Sequence, residues 1–259
     1  MKRVFVILIM ILFCVNSSYA AVMQGGISEN RVVNNQNKII DKFTKQPVAN
    51  AKVRIPSKNY TTYTNSNGEF ELNIKVNAPT ILSVEKQNYK PYSITINKDA
   101  YSKPFVLSIE QSGKFDIKID SQLCHLGDNN FSGYSANAGQ FKGLAVGPVY
   151  SKKVHIPITA SVKQNYLVIG SIIGIDTALA RGIGQNRISN AFASPPSIYL
   201  NGQKIAEIQI NGDNQKIRLP HNLIKWNQDN IITIRAGRNL MQTAYVDYDD
   251  IEFMNISVQ

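Results

Sequence analysis

The sequence predicts an all-β protein in which two tandem β-sandwiches follow a signal peptide. From Arg31 onward, short segments of alternating apolar and polar residues recur about every ten positions, with turn residues between them. The closing stretch, Ala244–Val258, is typical of the terminal strand of a sandwich. Its apolar residues change parity between Phe253 and Met254, which indicates a bulge or a strand buried on both faces.

The N-terminus predicts export. Lys2 and Arg3 precede the apolar run Val4–Val15, and small residues follow up to Ala20, the order of a secretory signal peptide cleaved after Ala20. The protein is therefore expected in the periplasm, in the medium or on the cell surface, with no membrane span after cleavage. A membrane-spanning helix is the alternative, but a run of twelve is short against the roughly 20 residues that a bilayer needs. A lipid anchor on Cys14 is disfavoured by the bulky residue before it.

Charge and cysteine content narrow the possible functions. Removal of the signal peptide leaves 26 basic and 18 acidic residues, a net charge of +8. The basic residues are scattered, with no run longer than Lys152-Lys153, so we predict no nucleic-acid partner. Cys124 is then the only cysteine, which excludes an intramolecular disulfide and leaves stability to apolar cores.

A first domain is predicted over residues 31–112, after a flexible lead-in over residues 21–30. Asn67-Gly68 forms a hairpin turn between two of its strands. The predicted strands are Lys38–Asp41, Val48–Ile55, Tyr60–Thr64, Glu69–Ile74, Thr80–Val84, Tyr92–Ile96 and Phe105–Ile109.

This first segment resembles the carboxypeptidase regulatory-like domains, which are transthyretin-like sandwiches of about seven strands. The resemblance is carried by Ile40-Asp41, Thr44, Pro47-Val48-Ala49, Ala51, Val53, Thr64-Asn65, Asn67-Gly68-Glu69-Phe70, Leu82, Val84 and Asn88-Tyr89. It implies a spacer or interaction module without catalytic residues. The family usually has Gly where this chain has Gln46 and Asn88; Asn88 can adopt the left-handed conformation, whereas Gln46 indicates a different turn.

A second domain is predicted over residues 115–259, after a boundary at Gln111–Lys114. The long segment Gly174–Ser197 has no strand pattern, apart from a single helical turn at Asp176–Arg181, and such loops are commonly functional. Cys124–Tyr134 is predicted to be a polar loop. The predicted strands are Phe115–Asp120, Lys153–Thr159, Tyr166–Ile173, Ser197–Gly202, Gln203–Ile208, Lys216–Leu219, Asn230–Arg235 and the closing stretch.

The second domain resembles the galactose-binding-like jelly rolls of carbohydrate-binding modules. The resemblance is carried by Ile198-Tyr-Leu-Asn-Gly, Ile217, Leu219, Leu223, Asn230, Ile232, Ile234 and Tyr248-Asp-Asp-Ile251. Many such modules hold a structural calcium ion between their first and last strands. The resemblance therefore implies a calcium site at Asp128, Asp249 and Asp250.

The acidic cluster at the start of the last strand, which also includes Asp247 and Glu252, has three interpretations. Clustered carboxylates suit calcium, which takes several oxygen ligands. A glycosidase pair is the second interpretation, although no second acidic cluster with aromatic platforms accompanies the first. The third is a solvated strand end that Arg235 and Arg238 neutralise.

Catalysis is not predicted, because the three histidines lack partners and no nucleophile motif occurs. The predicted function is that of an exported, non-catalytic protein that binds a glycan or cell-surface polymer through loops of the second domain. The alternative is a structural or adhesive protein that binds a protein partner through the same loops. Candidate ligand-binding residues are Phe131, Tyr134, Asp176, Arg181, Asn186, Arg187 and Asn190.

Overall fold

The computed structural model describes residues 36–98, 103–130, 141, 143–186, 188 and 190–259. The predicted signal peptide and lead-in, together with Phe131, Tyr134 and Arg187, lie outside these residues. The described fold is nearly all β, and its two tandem β-sandwiches confirm the predicted fold class. The last strand of the first sandwich ends at Ile109, and the first strand of the second sandwich begins at Ile117.

The first sandwich has seven strands among the described residues. These are β1 (Asn37–Asp41), β2 (Lys52–Ile55), β3 (Tyr60–Tyr63), β4 (Glu69–Phe70), β5 (Thr80–Glu85), β6 (Tyr92–Ile96) and β7 (Val106–Ile109). One sheet has the order β4-β1-β7 and the other has the order β3-β2-β5-β6. The predicted strand Glu69–Ile74 is thus shorter than expected, since only its first two residues pair.

Turn residues of the first sandwich adopt the left-handed conformation at the glycine and the asparagine for which the sequence predicts it. Gly68 has φ of 72° in the hairpin turn, and Asn88 has φ of 68°. In the turn after β1 the left-handed residue is Lys45, one position before Gln46. Asp41 stabilises the same turn, because its carboxylate accepts hydrogen bonds from the backbone N–H groups of Phe43 and Thr44.

The second sandwich has nine strands among the described residues. These are β8 (Ile117–Asp120), β9 (Cys124–Leu126), β10 (Val149–Ile156), β11 (Tyr166–Ile173), β12 (Ser197–Leu200), β13 (Gln203–Glu207), β14 (Gly212–Arg218), β15 (Gln228–Arg235) and β16 (Ile251–Val258). One sheet has the order β10-β15-β12-β13, and the other has the order β14-β11-β16-β8 with β9 also paired to β16. The chain crosses repeatedly between the two sheets. Cys124–Leu126 was predicted to be loop, but it pairs in register with residues 251–253 of β16.

The last strand lies in the middle of its sheet, between β11 and β8, and all eight of its residues are buried. Ile251 and Phe253 face the core of the sandwich before Asn255, and Ile256 and Val258 face it afterwards. Asn255 has φ of 61°, and the register with β8 shifts just after it. The predicted bulge and the predicted burial of both faces are therefore both present.

The two sandwiches pack against each other within one compact unit, residues 35–259. Strands β5 and β6 of the first sandwich contact β11, β14 and β16 of the second. A small apolar cluster joins Ile81 of β5 to Ile173 and Met254 of the second sandwich. Asp213 of β14 adds a polar contact, because its carboxylate accepts hydrogen bonds from the backbone N–H and the hydroxyl of Thr95.

The two sandwiches approach each other closely at Gly170 of β11. A Cβ atom at this position would lie 2.5 Å from Ser93 Oγ and 2.7 Å from Asn255 Cβ, so the side chain of any other residue would collide with both. Asn255 also donates a hydrogen bond from Nδ2 to Ser83 Oγ at 3.2 Å. The bulge in β16 thus places an amide side chain in the interface.

Candidate functional site

Three loops meet at one end of the second sandwich, and together we call them the loop end. They are the described residues of the segments that connect β9 to β10 (127–130, 141 and 143–148), β11 to β12 (174–186, 188 and 190–196) and β15 to β16 (236–250). Backbone hydrogen bonds join the second and third loops, from Ser194 N to Arg238 O and from Leu240 N to Phe192 O. Tyr248 N donates to Asp128 Oδ2 at 3.0 Å, which joins the third loop to the first.

Buried polar side chains hold the loop end in one arrangement. Asp247 is 2% exposed and accepts hydrogen bonds at 3.0 Å from the side-chain amides of Asn130 and Asn239. Asp176 is equally buried and accepts a hydrogen bond from Asn186 Nδ2 at 3.0 Å. Since such groups are costly to bury without partners, this network favours a single loop conformation.

A short helix, α1 (Ala178–Gly182), lies in the second loop where a helical turn was predicted. Thr177 caps it, because its hydroxyl accepts a hydrogen bond from Ala180 N at 3.1 Å. The helix places Leu179 and Ile183 on the surface, where they are 50% and 56% exposed.

Exposed apolar side chains concentrate at the loop end. Nine of the seventeen large apolar side chains that are exposed in the described part of the chain belong to these three loops. They are Leu144, Val146, Leu179, Ile183, Ile188, Leu240, Met241, Tyr245 and Val246. Eight of the nine are aliphatic, and patches of this kind mark interaction sites on soluble proteins.

The structure separates the predicted ligand-binding residues into two groups. Asp176 and Asn186 are buried and bind each other, so their side chains serve the loop network. Arg181 and Asn190 are exposed on the second loop.

The three carboxylates of the predicted calcium site each have a different protein partner. Asp128 accepts the N–H of Tyr248, Asp249 accepts the N–H of Asp176 at 3.2 Å, and Asp250 accepts a hydrogen bond from His125. Within the described ranges, no three Asp, Glu, His or Cys side chains are grouped so that they could hold a metal ion. This arrangement does not fit a shared ion, and the calcium site stays a prediction.

The buried carboxyl groups of Asp176 and Asp249 perturb each other at the loop end. Burial, followed by the charge of Asp176, raises the pKa of Asp249 well above its ordinary value. A raised carboxyl pKa is typical of a general acid. However, the cavity that the two carboxyl groups line measures about 10 Å³, roughly the space of one water molecule. A substrate therefore has no room beside this pair.

His125 forms a buried contact that the sequence did not reveal. Its Nε2 lies 2.7 Å from Asp250 Oδ1, and its Nδ1 lies 2.6 Å from the carbonyl oxygen of Gly143. Both ring nitrogens face acceptors, an arrangement that favours the imidazolium, in which both nitrogens are donors. Burial lowers the pKa of His125, but the hydrogen bonds to Asp250 and Gly143 outweigh it and raise the pKa above its usual value. His125 of β9 is thus joined to Gly143 in the first loop and to Asp250 at the end of the third loop.

Cys124, the neighbour of His125, is not a nucleophile. Burial raises the pKa of its thiol to about 12, so the reactive thiolate does not form near neutral pH. Cys124 is a small buried residue of the core, 8% exposed.

Comparison with known proteins identifies the first sandwich. Residues 37–115 match the CarboxypepD_reg-like domain family. This confirms the resemblance seen in the sequence, with a start six residues after the predicted one. The CarboxypepD_reg-like domain is a generic β-sandwich and assigns no activity to the chain. No curated protein matches the chain.

The similarity to solved structures is remote. One structure with similarity is the β-D-glucuronidase of Dictyoglomus thermophilum, with 11% sequence identity and a TM-score of 0.30. The match covers 57% of this chain and 29% of that chain. A similarity at this level supports no conclusion about activity. Among the described residues, no helix is long and apolar enough to cross a membrane.

Proposed function

We propose that this chain is an exported, non-catalytic binding protein whose loop end contacts a protein partner. The observation that supports this proposal most strongly is the set of eight exposed aliphatic side chains on three interlocked loops. Aliphatic and Met side chains bury well against another protein surface, whereas sugar rings are bound chiefly on aromatic faces. In this proposal the CarboxypepD_reg-like domain acts as a spacer.

The rigidity of the loop end supports the same proposal. Ordering loops and side chains during association costs free energy, and loops that are already ordered avoid this cost. Asp247, Asn130 and Asn239 join two of the loops through buried hydrogen bonds. Exposed apolar residues on ordered loops therefore form a surface ready for docking.

The test compares two double variants of the whole protein. Leu144→Ser with Met241→Ser removes two apolar side chains from the loop end, which are 86% and 51% exposed. Val106→Ser with Val162→Ser is the matched control, because these side chains are 59% and 79% exposed and lie outside the loop end. Immobilised protein is incubated with the envelope and medium fractions of the producing cell, and bound proteins are quantified.

We expect one protein from these fractions to bind equally to the wild type and to the control variant. The amount bound to the loop-end variant should be lower by about tenfold or more, since buried interface side chains contribute roughly 1 kcal/mol or more each. Equal retention by the two variants would refute the proposal. Sedimentation of the purified protein alone identifies the case in which the partner is a second copy of the chain.

Carbohydrate binding at the loop end is the second candidate. Tyr245 is 52% exposed, and its hydroxyl accepts a hydrogen bond from the Asn130 side chain at 3.0 Å, so an aromatic face and an amide lie side by side. A glycan array with the wild type and with Tyr245→Ala tests this alternative. Binding that requires Tyr245 would favour a sugar ligand over a protein partner.

A further inference from the structure

Three neighbouring cavities follow the seam between the two sandwiches. They have volumes of about 460, 260 and 570 Å³. The first and second share Lys86 and Lys118, and Pro91 lines all three. They therefore form one continuous groove, which we call the junction groove. None of its lining residues belongs to the loop end.

The junction groove is positively charged. Seven lysines and four acidic residues line it among the described residues. The acids are already engaged: Glu110 pairs with Lys42 and Lys90, and Glu85 pairs with Arg54. Asp116 and Asp213 likewise accept hydrogen bonds from protein donors.

Five of the lysines make no ion pair within the described residues, and two of these, Lys45 and Lys86, donate hydrogen bonds to backbone carbonyl oxygens. The other three are Lys52, Lys118 and Lys216. Lys52 lies on β2, Lys118 on β8 and Lys216 on β14, so both sandwiches contribute to the set. None of the three makes an ion pair within the described residues. Lysines gathered in a groove between protein walls raise the local concentration of anions.

A buried hydroxyl adds a second sign of a ligand site. Ser93 lines the third cavity beside Gly170, and its Oγ is buried with no hydrogen-bond partner. A buried polar atom without a partner is uncommon in folded proteins, and a bound group commonly supplies the missing hydrogen bond.

We infer that the junction groove binds a linear anionic glycan, a sugar chain that carries carboxylate or sulfate groups. The succession of three cavities suits a chain better than a single small anion. Amide and hydroxyl side chains such as Asn50, Gln87, Asn214 and Ser108 lie between the lysines and match sugar hydroxyls. The lining has no arginine among the described residues, and arginine is the usual residue for bidentate contact with nucleic-acid phosphates.

The experiment measures binding of the whole protein to defined probes by calorimetry. Polygalacturonate supplies carboxylates, dextran sulfate supplies sulfates, and neutral dextran is the uncharged control. Inorganic phosphate tests a small anion, and an oligothymidylate tests nucleic acid. Each titration is repeated from 0.05 to 0.3 M NaCl, because contacts with exposed lysines weaken as salt screens them.

Two triple variants with the same change of net charge distinguish the groove from general basicity. Lys52→Gln, Lys118→Gln and Lys216→Gln remove three groove lysines that make no ion pair within the described residues. Lys98→Gln, Lys153→Gln and Lys225→Gln remove exposed lysines that do not line the groove. Melting temperatures of both variants are measured as a check of folding.

We expect the groove variant to bind at least one of the acidic glycans about tenfold more weakly than the wild type, and the control variant to bind it within twofold of the wild type. Neutral dextran should not bind. Equal losses of affinity in the two variants would overturn the proposal, as would the absence of binding to either acidic glycan. Binding of the oligothymidylate or of phosphate that is tighter than binding of the acidic glycans would also overturn it. These readouts are independent of the loop end, so this proposal and the proposed function can fail separately.

Discussion

Replacement of Glu252 by Gln should make the protein less sensitive to alkaline pH. Glu252 lies on β16, is 2% exposed and faces His125 across the strand pair. One of its carboxylate oxygens, Oε1, is buried with no hydrogen-bond partner among the described residues. Burial raises the pKa of this carboxyl to about 7, although the charge of His125 lowers it in part.

The magnitude follows from linkage between protonation and folding. The folded state holds the proton of Glu252 up to a pKa of about 7, against 4.5 for the ordinary group. The stability contributed by this proton is therefore complete below pH 4.5 and is lost as the pH rises through 7. Above pH 7 the loss is about 3 kcal/mol, because each pKa unit corresponds to about 1.4 kcal/mol. Gln cannot ionise, so E252Q lacks this loss.

The assay is urea unfolding of the wild type and of E252Q at a series of pH values between 4.5 and 8.5. The difference in unfolding free energy between the two proteins should shift by about 3 kcal/mol in favour of E252Q as the pH rises. Glu71→Gln, at an exposed position, is the control for a change of surface charge. Parallel curves for wild type and E252Q would refute the reasoning, because they would show that Glu252 titrates alike in both states.

Two further predictions concern the loop end. Gly237→Ala should lower the unfolding free energy by roughly 2 kcal/mol or more in urea titrations, because its Cβ would lie 1.8 Å from Ser194 O. Gly182→Ala is the control: its Cβ meets no atom within 4 Å, so the unfolding free energy should change by less than about 1 kcal/mol. The calcium site implied by the sequence would require a melting temperature that rises in calcium, falls in chelator and loses this difference in Asp250→Asn. Because the three carboxylates have separate protein partners, we expect melts that ignore both additives.

Local sequence signals were sufficient to predict most of the elements. Asn201-Gly202 forms the turn between β12 and β13, with both residues at positive φ, as its composition indicates. The parity change in the last strand is explained by the left-handed conformation of Asn255. These features depend on residues that are close together in the chain, which is why the pattern alone reveals them.

Contacts between distant segments were beyond sequence reasoning. His125 and Asp250 are 125 residues apart, and no periodicity or turn signal relates them. β9 was missed because three residues are too few to show alternation. Asp176 and Asn186 were correctly placed in one loop, but their burial depends on how that loop folds back onto β16, which no local pattern specifies.

The glycine at position 170 restricts how this protein can be recombined in evolution. At Gly170 the missing side chain leaves room for Ser93 of the first sandwich and for Asn255, so this face of the second sandwich fits the surface of the first. A gene fusion that attached this sandwich to another leading domain would expose Ile173 and Met254 and leave the groove without its other wall. The two sandwiches are therefore expected to be inherited together, as a single evolutionary unit.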